Sequence, residues 1–139
     1  MYKKILVALE NSKTDRRLLA HVVELAVLLK SSLLLLHVAD GFAARNFKQL
    51  KLAESEEMKE DQRYLDKTAQ ALTKHGLKVE TRLELGNPPE GIIKVSKECH
   101  CDLIAMCSHG HRLIGDLVFG STIEPVRHRT KIPVLIVRG

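Results

Sequence analysis

The sequence predicts an α/β protein: one open, parallel, five-stranded sheet of Rossmann-like type with helices on both faces. Three observations carry that prediction. Near-continuous apolar runs at Lys3–Leu9, Leu33–Ala39 and Leu103–Met106 suit strands buried on both sides. Between them lie segments whose apolar residues recur at helical spacing. Turn residues at Asp40-Gly41, Gly76 and Gly86-Asn87-Pro88 punctuate the alternation. A β-α-β-α-β-α-β-α-β order implies right-handed crossovers, and a ligand site beyond the carboxyl ends of the strands where the strand order reverses. No repeat, linker or low-complexity tract interrupts the chain, so residues 1–139 are expected to form one domain.

The first strand, Lys3–Leu9, ends at Glu10. Asn11 and Ser12 then offer caps for a helix over Lys13–Lys30, with Leu18, Val22, Leu25, Ala26 and Leu29 along one side. After the second strand, Leu33–Ala39, a polar segment leads into a long helix carrying Met58, Leu65, Ala69 and Leu72 on one face. Gly76 ends it, because the residue after a helix often turns left-handed, where glycine has no Cβ penalty. In Lys78–Leu85, Val79, Thr81, Leu83 and Leu85 alternate with Lys78, Glu80, Arg82 and Glu84, which marks a strand with one wet face or at a sheet edge. Asn87 as N-cap and Pro88 at the first helical position start a third helix, with Ile92, Ile93, Ser96 and Cys99 inward. A last helix over Ser121–Arg129 accommodates Pro125 near its first turn, where amides lack partners anyway. The strand Val134–Val137 closes the chain. It is apolar on both faces, and at a sheet edge it would pair with a second copy, so a homodimer through Val134–Val137 is expected.

Composition narrows the partners. Hydrophobic residues at 45% and charged residues at 28% match a soluble globular protein. No apolar run, Leu33–Leu36 included, exceeds about five residues, far too short to cross a bilayer, and MYKKILVALE lacks the form of a signal peptide; a cytoplasmic protein without a membrane partner is expected. Three cysteines, an odd number, fit reduced thiols in that compartment. The net charge of +5 favours anionic partners in general. Its basic residues are interleaved with acids, however, Trp is absent and Phe and Tyr are few, so nucleic acid is not the expected partner. The sharpest basic cluster, Arg127-His128-Arg129 with Lys131, falls near a helix C-terminus, where cations are favoured anyway.

The functional signal is concentrated in Asp102–Thr122, DLIAMCSHGHRLIGDLVFGST. An apolar strand, a loop bearing Gly110 and Gly120, and Ser121-Thr122 at a helix start follow in that order. Unpaired amides at a helix N-terminus and the positive end of its dipole favour anions, and glycines let the main chain approach a ligand. The stretch reads as a phosphate cradle.

Gly110, nine intervening residues, Gly120 and Ser121, after an apolar strand and before IPVLIV, resemble the signature of the universal stress protein family. KILVALE-NS is similar to that family's first strand and acidic turn, LLLLHVAD to its second strand, GNPPEGIIKVSKE to its third helix entry and CDLIAMCSHG to its fourth strand. The resemblance implies strand order 3-2-1-4-5, dimerisation through the fifth strand and, in one subgroup, binding of ATP or of AMP or ADP, with Mg a candidate companion. That subgroup's pattern begins with a glycine where this chain has Cys107, and the family usually has Asp-Gly where Glu10-Asn11 stands. By the same resemblance, adenine and ribose would contact Ala8, Leu9, Glu10, Val38 and Met106, and the phosphates would meet Cys107, Gly110, Gly120, Ser121 and Thr122. The implied function is an ATP-binding regulatory module of stress response. The alternative is a dimeric interaction module of the same fold that binds no nucleotide.

Other candidates carry less. Cys99-His100-Cys101 lacks the second ligand pair that tetrahedral zinc wants, so small buried cysteines are expected and no metal. Cys107 near helix amides would have a lowered pKa, which would make it a redox-sensing candidate. His109 and His111 read as loop polarity, and His37 as a satisfied core histidine. Glu10 is the acid placed to hold base or ribose; no paired carboxylate activates water and the Lys-Ser/Thr pair of a P-loop is missing, so no enzyme is expected.

Overall fold

The computed structural model describes residues 1–40, 47–108 and 122–139, with the side chains of residues 40 and 47–55 excepted. Five strands, β1 (Lys4–Ala8), β2 (Ser32–Asp40), β3 (Val79–Gly86), β4 (Leu103–Ser108) and β5 (Val134–Arg138), form one sheet of order β3-β2-β1-β4-β5. Every pairing is parallel. The helices are α1 (Asp15–Leu29), α2 (Phe47–Thr73), α3 (Pro88–Glu98) and α4 (122–129).

The period-two geometry of the strands sorts the apolar runs onto two faces. Ile5, Val7, Leu33, Leu35, Leu103 and Ala105 point toward Leu18, Val22 and Ala26 of α1 and Leu65 and Leu72 of α2. Leu6, Leu34, Leu36, Ile104 and Met106 point the other way, onto Ile92 and Val95 of α3 and Ile123 and Val126 of α4. This double burial is why β1, β2 and β4 read as unbroken apolar runs rather than as alternation.

The two edges differ. β3 pairs only with β2, and its rim carries Arg82, which binds Glu84 at 2.9 Å and Glu98 at 2.8 Å. Lys94 adds a further contact to Glu84 at 3.6 Å. Burial along β3 is intermediate on both faces, so the alternation in its sequence reflects the edge position more than one wet face. Among the described residues β5 pairs only with β4 and carries no such lattice; its Ile136 is 40% exposed.

Local signals hold at α3, where the Asn87 side chain accepts the Glu90 amide at 3.1 Å ahead of Pro88. Gly76 has φ +79 just past α2, as its C′ role requires. The start of α1 differs from the expectation. Neither Asn11 nor Ser12 caps it; Thr14 is the N-cap residue and makes no side-chain cap bond. Asp15, the first helical residue, takes the loop amides instead.

Candidate functional site

Three parallel strands that end side by side leave their last residues around a shared hollow, and here that hollow lies where the order reverses between β1 and β4. A cleft of about 490 Å³ opens there, a size typical of small-molecule sites. Its apolar wall comes from Ala8, Leu9, Val38, Ile92 and Met106, and its polar groups from Glu10, Ser12, His37 and Thr122. Of the residues chosen from sequence, Ala8, Leu9, Glu10, Val38, Met106, Cys107 and Thr122 all line this cleft. Gly110, Gly120 and Ser121, together with His109 and His111, lie outside the described residues.

The loop after β1 is held by a residue that sequence reasoning passed over. Asp15 is 1% exposed, and its carboxylate accepts the amides of Glu10 at 3.0 Å, Asn11 at 2.8 Å and Ser12 at 3.3 Å. Tyr64 on α2 donates its hydroxyl to the same carboxylate at 2.6 Å. A buried charge is tolerable only when hydrogen-bonded in this way. Desolvation, then the hydrogen bond to Asp15 and its charge, push the Tyr64 pKa well above the ordinary phenol range. The chain therefore presents Glu10 and Ser12 to the cleft from a fixed loop. Thr14 donates its hydroxyl to Glu10 Oε2 at 3.3 Å.

His37 is satisfied, as its strand position implied, and it also lines the cleft. Its Nδ1 meets the Leu9 carbonyl at 2.9 Å and its Nε2 faces Asp61 Oδ2 of α2 at 3.4 Å. Asp61 also accepts the Asn11 side-chain amide at 3.0 Å. Asp61 and Tyr64, one turn apart on α2, thus both fasten the β1–α1 loop. The opposite wall depends on close backbone approach: a Cβ at Gly91 of α3 would stand 2.9 Å from Val38 Cγ2.

Cys107 departs from the expectation of a lowered pKa. Its thiol is pushed up, first by burial and then by the negative charges of Glu10 and Asp15, with a Thr14 hydrogen bond opposing. A buried thiol raised in this way lacks the thiolate character that a redox sensor uses, so the lowered pKa on which that expectation rested is not found. Cys101 is buried and Cys99 half-buried, as their small size suggested.

The sequence profile of the universal stress protein family matches residues 1–138. The chain belongs to this family. A curated relative, universal stress protein MJ0577 of Methanocaldococcus jannaschii, is 30% identical over 158 residues, which cover 99% of this chain and 96% of that protein. The solved structure of MJ0577 matches with a TM-score of 0.88 at 29% identity, over 100% of this chain and 97% of that one. Two more distant universal stress protein structures share the fold and are complexes. One holds cAMP (TM-score 0.70, 20% identity, over 99% of this chain and 97% of that one). The other, from Archaeoglobus fulgidus, holds dAMP (TM-score 0.67, 22% identity, over 97% of each chain).

Proposed function

We propose that this universal stress protein is an adenine-nucleotide-binding regulatory module of the stress response, taking ATP, or AMP or ADP, with Mg accompanying the phosphates. The observation that carries the reading is the convergence of Ala8, Leu9, Glu10, Val38, Met106, Cys107 and Thr122 on one cleft at the switch point of the sheet. A flat base suits the apolar wall of Ala8, Leu9, Val38 and Met106. The Glu10 carboxylate reaches the cleft as an acceptor for ribose hydroxyls. Thr122, at the start of α4, offers a hydroxyl beside helix amides, the chemistry that suits phosphate. Gly110, Gly120 and Ser121 enter through the family pattern. That related folds hold cAMP and dAMP supports the ligand class.

The reading is one of binding, not turnover. Of the other carboxylates at this loop, Asp15 is occupied by three amides and a phenol, and Asp61 by the Asn11 side-chain amide and His37. The protein acts as a cytoplasmic homodimer joined through β5, whose rim, among the described residues, is apolar over Val134–Val137 and lacks the ion pairs that guard β3.

Isothermal titration with ATP and magnesium tests the reading: saturable binding is expected, and Gly120→Val should abolish it with the fold retained. A flat titration at high protein concentration would overturn it and favour the interaction module that binds no nucleotide, the reading that Cys107 in place of glycine supports. Phosphate release above background, lost in Ser121→Ala, would overturn the non-enzymatic part.

A further inference from the structure

A second cavity, of about 690 Å³, lies at the other end of the parallel strands, where β1, β2 and β3 begin and α1 and α2 end. Lys3, Lys30, Lys78 and His75 line it, and Leu29 and Leu77 supply apolar wall. Among the described residues, none of the three lysine ammonium groups has an ion-pair or hydrogen-bond partner. The carboxylates nearby in sequence pairing are engaged: Glu80 binds Lys4 at 3.2 Å, and Asp102 accepts the amides of Lys3 and Lys4 at 2.9 and 3.0 Å.

Cations gather at helix C-termini for a plain reason, and two such ends meet here, at Leu29 and Thr73. Each contributes roughly half a negative charge, so about one positive charge offsets both. Three lysines exceed that. The surplus is unpaired positive charge at the surface, open to an anionic partner.

At the cavity's rim, the end of α1 exposes three consecutive apolar residues, Val27 and Leu29 of the lining and Leu28 beside it, at 52%, 38% and 78%. A small soluble phosphate would engage the lysines and leave these aliphatic side chains in water. Lysines around a hollow with leucines protruding beside it match the headgroup layer of an anionic bilayer, ammonium groups on lipid phosphates and aliphatic side chains among the upper acyl carbons. We propose that this end of the sheet docks the protein peripherally on an anionic membrane surface through Lys3, Lys30, Lys78 and Leu28. Peripheral docking needs no spanning segment, and no helix among the described residues is long and apolar enough to cross a membrane. Because the two cavities lie at opposite ends of the strands, a docked molecule keeps its first cleft facing solution. The proposal is independent of what that cleft binds.

Co-sedimentation of the full chain with vesicles tests it, comparing phosphatidylcholine alone with phosphatidylcholine containing about one-third phosphatidylglycerol at low salt. Binding to the anionic vesicles only is expected, falling with added salt. Each of Lys3→Gln, Lys30→Gln and Lys78→Gln should weaken partitioning about fivefold, and the triple variant should lose it. Leu28→Gln should weaken it without changing the salt dependence. All four positions are exposed, and circular dichroism with thermal melts confirms that the variants fold. Equal binding to both vesicle types would overturn the proposal, as would full binding by the triple variant. So would loss of binding only on neutralising Arg127, Arg129 and Lys131. Capture of polyglutamate or inorganic polyphosphate with no vesicle binding would assign the cavity to a soluble anion instead, and overturn the membrane.

Discussion

Replacing Asp15 with alanine should be among the most damaging single changes available outside the apolar core. The side chain accepts three backbone amides and the Tyr64 hydroxyl while almost wholly buried. A hydrogen bond to a charged group is worth about 1.5–3 kcal/mol net, and four sharing one carboxylate do not add. Asn11 and Ser12 are exposed, so their amides recover water when the carboxylate is gone; the Glu10 amide and the Tyr64 hydroxyl are less accessible. The expected loss is therefore about 3–5 kcal/mol, the range seen when one partner of a buried charged contact is removed. Asp15→Asn keeps the shape and one acceptor but turns an NH₂ toward a donor, and should cost roughly half as much. Urea unfolding at neutral pH, with the slope unchanged between variants, gives the comparison. A double-mutant cycle with Tyr64→Phe should show coupling on the order of 1–2 kcal/mol. If Asp15→Ala lost less than about 1 kcal/mol, the carboxylate would not be organising the loop.

Three further outcomes follow from the same geometry. Iodoacetamide near neutral pH should label the half-buried Cys99 before Cys101 and Cys107, whose thiols are buried and raised in pKa; rapid labelling of Cys107 would restore it as a reactive thiol. Burial pushes Cys101 up from 9.0 to about 11, so above pH 9 the unfolded chain sheds a proton that the folded chain keeps. Stability is then full below pH 9 and falls as pH rises toward 11, by at most about 1.4 kcal/mol per pH unit, and Cys101→Ala should flatten that slope in denaturation series. Gly91→Ala gains about 1 kcal/mol of helix propensity but drives a methyl into the stiff Val38 side chain, an overpacking cost of about 1–3 kcal/mol. The net change should be destabilising by up to about 2 kcal/mol, with weakened nucleotide affinity; a stabilised variant with unchanged affinity would show that Val38 yields freely.

The legible parts of this fold were those written in local pattern. Strands buried on both faces must be apolar throughout, and β1, β2 and β4 announce themselves in that way. Asn87-Pro88 and Gly76 carry their caps within a few residues, so they could be placed from the chain alone. The place of the cleft was legible because strand ends beside a topological switch point are adjacent by construction, whereas its wall residues Ala8, Leu9, Val38 and Met106 came through the family resemblance. The start of α1 was not. Its cap works through a carboxylate that reaches back to amides as far as Glu10 and across to Tyr64, 49 residues away. The pairing of His37 with Asp61 on α2 likewise has no counterpart in spacing. An acid in the first turn of a helix, following a short polar loop, was the one available hint of Asp15.

The unlike margins of the sheet also bear on how far assembly can proceed. An incoming strand at β3 would have to strip water from Arg82, Glu84 and Glu98, whereas one at β5 meets the apolar Val134–Val137 and a charge only at its end, Arg138. A protein with two sticky margins would polymerise sheet upon sheet. With one margin guarded, the proposed β5-to-β5 contact would use up the adhesive surface of both copies and close on a twofold axis, so association would end at a finite particle instead of a fibre.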